Sequence, residues 1–395
     1  MISLADRVQR VSPSMTFAVS AKAKSLRAQG VDICDFSVGE PDFVTPSFMR
    51  EATKAALDAG MTKYTPTPGL PELRARIASK LQTENNLPYT PEQIIVSNGG
   101  KQALYNTLFA LLNPGDEVLI PTPAWVTYPE VVKLAGAVPV YLTTGLASNF
   151  KITAAQLDSA ISSRTRLFIL NSPSNPTGAV YSRTELTELA EVLVARQILV
   201  FADEIYEKLI YGEMEHVSIG SLGDEIFDLT VTSNGFSKAY AATGWRLGYA
   251  AGPLALIKAA TTIQSHSTSG PNTFAQYGAL TALEDQDNSQ ASIAAMRTVF
   301  QQRRDLVLTA LQQMPNLTCN RPQGAFYVFP DISATGLDSL TFCNQLLERA
   351  HVAAVPGVAF GADAHIRLSY ATDSDTLREG LARLHRFLSE DPGEH

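Results

Sequence analysis

Between residues 93 and 250, short runs of β-branched and other apolar residues alternate with stretches of helical periodicity, and turn residues separate them. This alternation predicts βα units in a mostly parallel sheet. The predicted strands are 93–97, 117–121, 137–142, 166–170, 198–203, 229–233 and 247–251. Several of them are apolar at consecutive positions, as in 198–203 (ILVFAD), which is typical of a sheet covered by helices on both faces.

Helical periodicity is clearest over residues 182–196, where Ser182 and Glu185 have the spacing of a capping box. Residues 288–314 predict one helix that is longer than most helices of globular domains. A helix of this length often connects two domains, so we expect a second unit after it.

The remainder of the chain predicts a smaller α+β unit. Its elements are a strand at 325–329, a helix at 338–350, strands at 352–355 and 365–370, and a helix at 374–389. A helix at 16–29 and a strand at 32–37 are too short to fold alone, so we expect them to pack on this unit. The predicted division is an N-terminal segment (1–45), a large domain (46–290) and a small domain (291–395).

The composition indicates a chain with a sizeable core, because 45% of its 395 residues are hydrophobic and only 18% are charged. It excludes a disordered protein. Thirty-one Lys and Arg against 39 Asp and Glu give a net charge of −8, and no long basic run is present. We therefore expect no nucleic-acid partner; small molecules and copies of the same chain are the expected partners.

Compartment and metal content are predicted from patterns that the sequence lacks. Roughly 18 consecutive apolar residues would be needed to span a membrane, and neither such a run nor a signal-peptide pattern at the start (MISLADRVQR) is found. Cys34, Cys319 and Cys343 form no CxxC, which fits a reducing compartment. The six histidines include no HExxH. We expect a cytoplasmic protein with no membrane contact and no metal site.

Ligands of open α/β sheets bind beyond the carboxyl ends of the strands, so the residues that follow each predicted strand are the candidates for chemistry. After 93–97, Gly99 and Gly100 open a helix whose free N–H groups suit a phosphate. An ordinary strand-to-helix turn explains two glycines equally well. No GxGxxG follows the first strand, which disfavours a dinucleotide site.

Two further strand ends carry polar side chains. Asn175 lies in the Pro-rich loop NSPSNPTG, where it is either a hydrogen-bond donor or a simple turn former. Asp203 closes an apolar strand, and a carboxylate there is costly unless it meets a cation or hydrogen-bond donors. Helix capping is the competing explanation for Asp203.

The most informative segment is 234–248 (NGFSKAYAATGWRLG). A desolvated Lys238 amine would have a lowered pKa and could act as a nucleophile in Schiff-base formation. Arg246, between Gly244 and Gly248, offers a planar fork that suits phosphate. Taken singly, Lys238 could be a surface lysine and Arg246 a partner in a structural ion pair.

The segment GFSKAYAATGWRLG is similar to the lysine-attachment pattern of the class I/II aminotransferases, the fold type I enzymes that use pyridoxal 5'-phosphate (PLP). The resemblance covers nearly the whole chain through VGEPDF (38–43), KYTPTPGLPELR (63–74), PAWVTYPE (123–130), NSPSNPTG (171–178), DEIYE (203–207), GAFYVFP (324–330) and HIRLSYA (365–371). It implies the α/β fold of that type, with a three-layer large domain around a seven-stranded, mostly parallel sheet and a smaller α+β domain. Within the family, the chain most resembles bacterial-type (1-beta) aspartate aminotransferases, some of which also act on prephenate.

The resemblance also implies how the cofactor is held. Lys238 would bind PLP covalently and later move a proton between the substrate and the cofactor. The other implied cofactor contacts are Asp203 at the pyridine nitrogen, Asn175 and Tyr206 at the phenolic oxygen, Trp125 on the ring, and the Gly100 and Lys101 backbone with Arg246 at the phosphate. Many relatives have a phosphate-binding Ser where this chain has Gly235, so the phosphate would use Ser237 or backbone instead. Tyr64 is similar to a tyrosine that reaches the phosphate of the neighbouring subunit, which implies a homodimer with shared active sites.

Substrate contacts follow from the same resemblance. Arg367 matches the arginine that binds the α-carboxylate through two hydrogen bonds, with Gly39 contributing backbone. Trp125 and Asn175 border the same position. Lys101 is expected to reach the distal carboxylate of a dicarboxylic substrate; the alternative is a solvated or phosphate-facing ammonium.

Thr16 is expected close to the distal carboxylate as well. Relatives that handle prephenate tend to carry Lys or Arg where this chain has Ser12, so aspartate is expected to rank above prephenate.

The predicted reaction is L-aspartate + 2-oxoglutarate to oxaloacetate + L-glutamate, in a ping-pong cycle. A β-lyase or cyclopropane-forming synthase on the same fold is an alternative. A PLP-fold sensor in a transcription regulator is a weaker one, because residues 1–45 contain no basic DNA-binding domain. The Thr122–Pro123 and Asn175–Pro176 bonds are predicted to be cis.

Overall fold

A computed structural model describes residues 2–389 of the chain. The strands are β1 (Cys34–Asp35), β2 (Ile94–Ser97), β3 (Glu117–Thr122), β4 (Val138–Thr143), β5 (Thr165–Asn171), β6 (Leu199–Asp203), β7 (Thr230–Gly235), β8 (Gly248–Ala251), β9 (Tyr327–Val328), β10 (Val352–Ala353), β11 (Val355–Pro356) and β12 (Ile366–Ser369). The helices are α1 (Asp6–Gln9), α2 (Met15–Ala28), α3 (Ser47–Asp58), α4 (Pro71–Asn85), α5 (Gly100–Leu111), α6 (Thr127–Leu134), α7 (Ala154–Ala160), α8 (Arg183–Arg196), α9 (Asp224–Asp228), α10 (Leu254–Ser267), α11 (Thr273–Glu284), α12 (Gln286–Leu311), α13 (Ser339–Ala350) and α14 (Ser374–Ser389). None of these helices is long and apolar enough to cross a membrane.

The large sheet has seven strands in the order β2-β8-β7-β6-β5-β3-β4. Strand β8 runs antiparallel to β2 and β7, and the other neighbours are parallel. All seven predicted strands are confirmed, with ends that differ from the prediction by at most two residues. Every residue of β2, β7 and β8 is buried, whereas three of the six residues of the edge strand β4 are exposed.

The register of three neighbouring strands brings their carboxyl ends together. Asn171 of β5 lies opposite Asp203 of β6, which in turn lies opposite Ser233 of β7. The chain then leaves β7 directly into the segment that contains Lys238. The polar residues that the sequence places after separate strands therefore meet at one edge of the sheet.

Two predicted helices are confirmed with small changes of boundary. Helix α8 begins after Ser182, whose side chain accepts a hydrogen bond from the Glu185 amide in a complete capping box. Helix α12 is a single helix of 26 residues, and Phe300 and Val307 pack in the same core cluster as Phe326 of the C-terminal part.

The N-terminal strand packs against the C-terminal part of the chain. Strand β1 pairs in parallel with β10, and Phe36 lies in the same apolar cluster as Phe342. A separate small sheet has the order β11-β12-β9. The strands predicted at 32–37 and 325–329 are only two residues long in the structure, because each pairs with its neighbouring strand over two residues. The domain boundaries at 45/46 and 290/291 stay a prediction.

Both peptide bonds predicted to be cis, Thr122–Pro123 and Asn175–Pro176, are cis. A third, Ser172–Pro173, is also cis and was not predicted.

Candidate active site

A cavity of about 570 Å³ opens at the carboxyl ends of the central strands. Twelve of the thirteen residues predicted for the site line it, namely Thr16, Gly39, Gly100, Lys101, Trp125, Asn175, Asp203, Tyr206, Ser237, Lys238, Arg246 and Arg367. They come from the N-terminal segment, from strand β6 and the segments that follow the strands of the large sheet, and from strand β12. Tertiary structure thus collects into one cavity residues that lie more than 300 positions apart in the sequence.

Lys238 is partly buried and presents an amine to this cavity. Its Nζ donates a hydrogen bond to the Gly39 carbonyl at 2.5 Å. Desolvation lowers the pKa of Lys238 to about 8, although the nearby Glu40 opposes the shift. No carboxylate oxygen of residues 2–389 lies within 4.0 Å of this amine, so it has no ion-pair partner there. A neutral amine is therefore accessible near physiological pH.

Asp203 is buried at the end of β6. Tyr128 Oη donates to its Oδ2 at 2.7 Å, and the Ile205 amide donates to its Oδ1 at 3.2 Å. Burial raises the pKa of Asp203 to about 6 despite these donors. The carboxylate has hydrogen-bond donors but no ion-pair partner among residues 2–389, so a cationic group of a ligand in the cavity would supply the counter-charge.

Arg367 is buried without a carboxylate partner among the described residues. Its Nη2 donates to the Ser37 carbonyl at 2.7 Å and its Nη1 to Asn175 Oδ1 at 3.2 Å. Its Nε has no partner within the structure described. The guanidinium lies over the rings of Tyr327 (4.5 Å to the centroid) and Phe360 (5.2 Å). A buried guanidinium held this way is a receptor for an anion.

The phosphate corner is formed where β2 leads into α5. Gly99 has φ +84°, and a Cβ atom there would lie 2.6 Å from Arg246 Nη2. A Cβ atom on Gly248 would lie 2.4 Å from the Gly100 nitrogen. Both glycines are required by this close approach, which places the Arg246 guanidinium beside the free N–H groups of the first turn of α5. Ser237, predicted for the same group, lines the cavity and is buried.

Lys101 lies at the more open side of the cavity. Its Nζ is 5.0 Å from the centroid of the Trp125 ring and 5.8 Å from that of Phe17. Partial desolvation of the ammonium and the nearby Arg246 lower the pKa of Lys101. Thr16 lines the same cavity. The ammonium is thus a second cation facing the cavity, distinct from Arg367.

Tyr64 is the one predicted site residue that does not line the cavity. Its side chain is 95% exposed in the single chain. Ser12 is also outside the cavity, and its backbone amide donates to Glu130 at 2.8 Å.

Sequence reasoning assigned no role to two tyrosines that complete the site. Tyr128 binds Asp203, and Tyr327 lies between Tyr206 and Arg367. Both belong to segments already singled out, PAWVTYPE and GAFYVFP. A tyrosine in a segment predicted to be buried indicates a further hydrogen bond, because a buried hydroxyl needs a partner.

The cavity thus combines an amine of lowered pKa with a buried guanidinium, an arrangement suited to an anionic ligand. A profile of the family described as aminotransferase class I and II matches residues 31–384. The chain therefore belongs to this family.

Two relatives and one solved structure are similar over almost the whole chain. The aspartate/prephenate aminotransferase of Cereibacter sphaeroides is 49% identical, covering 98% of this chain and 99% of the relative. The aspartate aminotransferase of Geobacillus stearothermophilus is 48% identical over the same shares. The structure of aspartate aminotransferase from Thermus thermophilus with maleate has a TM-score of 0.95 and 47% identity, covering 98% of this chain and 100% of that chain.

Proposed function

We propose that this protein is a PLP-dependent aspartate aminotransferase that transfers the amino group of L-aspartate to 2-oxoglutarate. The observation that carries the proposal is that the Lys238 amine and the Arg367 guanidinium share one cavity and neither has a carboxylate partner among residues 2–389. Buried or partly buried cations without internal counter-ions are costly unless a ligand supplies the negative charge. The relatives named aspartate aminotransferase support the same assignment.

The residues present fit PLP. The first turn of α5, with Arg246 beside it and Ser237 nearby, would hold the phosphate. Asp203, which has no ion-pair partner among residues 2–389, would pair with the protonated pyridine nitrogen. Asn175 accepts from Arg367 through Oδ1, so its Nδ2 is available to donate.

Two aromatic residues and the lysine complete the proposed cofactor contacts. Tyr206 would donate to the phenolic oxygen and Trp125 would stack on the ring, since both line the cavity. Lys238 would attach covalently through its amine. When bound, PLP supplies an electron sink that stabilises negative charge on the substrate Cα.

The chain's own residues then position the substrate and move its proton. Arg367 holds the α-carboxylate with both arms of its guanidinium, which fixes the orientation of the Cα–H bond. Lys238 takes the Cα proton as a base and returns it as an acid, a role that suits an amine with a pKa lowered to about 8.

Lys101 is proposed to select dicarboxylic substrates. Its ammonium faces the cavity separately from Arg367, so a substrate held at Arg367 could place a second carboxylate near Lys101. The solved relative that holds maleate, a dicarboxylate, supports this assignment. Prephenate is the second candidate substrate, because the relative from Cereibacter sphaeroides is named for both activities.

The test is a panel of amino donors and oxo-acid acceptors, including prephenate, assayed on the purified protein. We expect aspartate and glutamate to have the highest kcat/KM as donors. Elimination products such as pyruvate and ammonia, in place of a transferred amino group, would instead assign a β-lyase. A preference for monocarboxylic donors would refute the aspartate assignment.

We also propose a homodimer with shared sites in the cytoplasm. Tyr64 is 95% exposed and lies outside its own chain's cavity, which suits a side chain that completes a partner's site. Cys34, Cys319 and Cys343 form no CxxC, a pattern that supports a reducing compartment. Mixing Lys238→Ala and Tyr64→Ala chains tests the sharing: hybrid dimers should recover activity that neither variant has alone. No recovery on mixing would count against a shared site.

A further inference from the structure

Tyr327 is completely buried and lies between the two halves of the proposed site. Its hydroxyl is 3.0 Å from the Tyr206 hydroxyl, and its ring centroid is 4.5 Å from Arg367 Cζ. The position follows from the small sheet, in which Tyr327 of β9 pairs with Ser369 of β12. Arg367 is two residues before Ser369 and therefore shares a sheet face with Tyr327 as its diagonal neighbour.

The same hydroxyl also adjoins the N-terminal segment. A Cβ atom added to Gly39 would lie 3.3 Å from Tyr327 Oη. The carbonyls of Ser37 and Gly39 accept hydrogen bonds from Arg367 and Lys238. Tyr327 is thus packed against the backbone that holds both of these cations.

The two tyrosine hydroxyls have only one proton to place between them. Burial raises the pKa of Tyr206 and of Tyr327, so both hydroxyls remain protonated near neutral pH. If Tyr327 donates to Tyr206, the proton of Tyr206 is free to point into the cavity that Tyr206 lines. The opposite arrangement would leave the Tyr327 proton without an acceptor among the hydrogen bonds of the described residues.

We infer that Tyr327 is a positioning residue for both ligand groups of the site. Its hydroxyl directs the Tyr206 proton towards the cofactor, and its ring face fixes the guanidinium of Arg367 that receives the substrate carboxylate. The inference rests on the proposed function, because it takes the cofactor and the carboxylate as the groups that Tyr206 and Arg367 bind.

Two substitutions separate the two roles. Tyr327→Phe keeps the ring and removes the hydroxyl, so donation from Tyr206 to the phenolic oxygen should weaken. Because that donation stabilises the anionic oxygen, the pH at which the visible absorbance of the PLP-loaded protein changes should rise by about 0.3 pH unit, since loss of the Tyr327 donor removes only the cooperative strengthening of the Tyr206 bond. The dissociation constant for maleate, measured by calorimetry at a pH well below that transition, where both proteins have the same protonation state, should be nearly unchanged.

Tyr327→Leu removes the ring as well. Here the maleate dissociation constant should also rise, by roughly 5- to 30-fold, the range expected for a desolvated cation–π contact. Tyr211 provides matched controls, because it is buried in the same core cluster and its ring centroid lies 4.9 Å from Arg304 Cζ. Its hydroxyl donates to a backbone carbonyl outside the cavity. Tyr211→Phe and Tyr211→Leu should lower thermal stability without moving either readout.

The outcomes are distinct. If the Tyr327 variants load PLP and behave like the Tyr211 variants, Tyr327 is only a core residue and the inference is wrong. If the unmodified protein shows no visible absorbance with PLP and no binding of maleate, the proposed function is wrong, and the inference that rests on it is wrong as well.

Discussion

Asp203 and Glu204 are consecutive residues, yet they belong to two clusters of opposite character. Asp203 faces the cavity, where it meets Tyr128 but no cation within ion-pair distance among residues 2–389. Glu204 lies in a second cluster, where it accepts hydrogen bonds from Ser218 at 2.7 Å and lies 2.9 Å from His216 Nε2. Among residues 2–389, Asp203 has no ion-pair partner, whereas the second cluster is held together by ion pairs.

The paired cluster is centred on Glu207. Lys80 forms a buried ion pair with Glu207, and Asn85 donates to both Glu204 and Glu207. Burial alone would raise the pKa of Glu207, but the adjacent Lys80 ammonium lowers it to about 2. Burial would lower the pKa of His216, yet Glu204 raises it. These shifts describe a charged network that is satisfied by its own members.

The difference between the two clusters shows how a ligand-binding site can be distinguished from a structural network of ion pairs. Glu204, Glu207 and His216 place possible metal-ligating atoms within 4.8 Å of one another, although the spacing in the sequence resembles no metal motif. Lys80 already provides the positive charge that a cation would bring. In the active-site cavity, Lys238 and Arg367 have no ion-pair partner within the described part of the chain, so their charge is available to a ligand.

The largest effect on activity should come from removing the amine of Lys238. Lys238→Ala should reduce turnover by roughly 10⁴-fold, the upper end of what a positioned acid–base group contributes, because it removes the amine proposed to attach the cofactor and to move the Cα proton. The visible absorbance of the lysine-bound cofactor should disappear while the thermal transition remains. Lys258→Ala, on the exposed face of α10, is the control and should be fully active. Retained visible absorbance in the Lys238 variant would remove that residue from its role.

Breaking the paired cluster should instead affect stability. Lys80→Met leaves Glu207 buried without its cation and should lower the free energy of unfolding by about 3–5 kcal/mol. Urea denaturation measures this, and KM for aspartate should change little. Lys22→Met breaks an exposed ion pair with Glu348 and should cost less than about 1 kcal/mol. Equal losses in the two variants would contradict the distinction between the clusters.

Arg367→Lys should weaken binding rather than folding. An ammonium cannot form the two parallel hydrogen bonds of a guanidinium, so KM should rise for every amino acid, at a cost of about 2–5 kcal/mol in binding free energy. Steady-state kinetics across the donor panel is the measurement. Arg196→Lys, whose ion pair with Asp158 is exposed, should leave KM unaltered. An unchanged KM in the Arg367 variant would place the carboxylate elsewhere.

Lys101→Ser should produce a selective effect. We expect kcat/KM for aspartate and glutamate to fall by about 1.5–3 kcal/mol more than for a monocarboxylic amino acid, the value of a hydrogen bond to a charged group. Lys24, another exposed cation that lines the cavity, is the matched control. A selective loss in Lys24→Ser would move the distal carboxylate to Lys24, and an equal loss for both substrate classes would assign Lys101 to cofactor binding.

The paired cluster should also be sensitive to acid. The pKa of Glu207 is lowered from 4.5 to about 2, so its contribution to stability is complete above pH 4.5 and is lost as the pH falls towards 2. Glu207→Gln should therefore show a shallower fall of Tm with decreasing pH in this range. Parallel Tm curves for the two proteins would show that Glu207 does not titrate there.

Several features of the fold and the site were predictable from local patterns. Short apolar runs that alternate with helical stretches predicted the seven strands, and the Ser182–Glu185 spacing predicted the start of α8. Residues after the strands, among them Asp203 and Lys238, were recognised because parallel strands share one carboxyl edge. The segment around Lys238 then identified the family.

Tertiary structure alone decided the partners of these residues. Tyr128 and Asp203 are 75 positions apart, Tyr206 and Tyr327 are 121 apart, and Arg367 reaches Asn175 across 192 positions. It also decided that Asp203 lies in the unpaired cluster and Glu204 in the paired one. Periodicity records only which face of its own element a residue occupies. Burial, pKa and counter-charge depend on which distant elements pack against that face, so they are fixed only once the chain has folded.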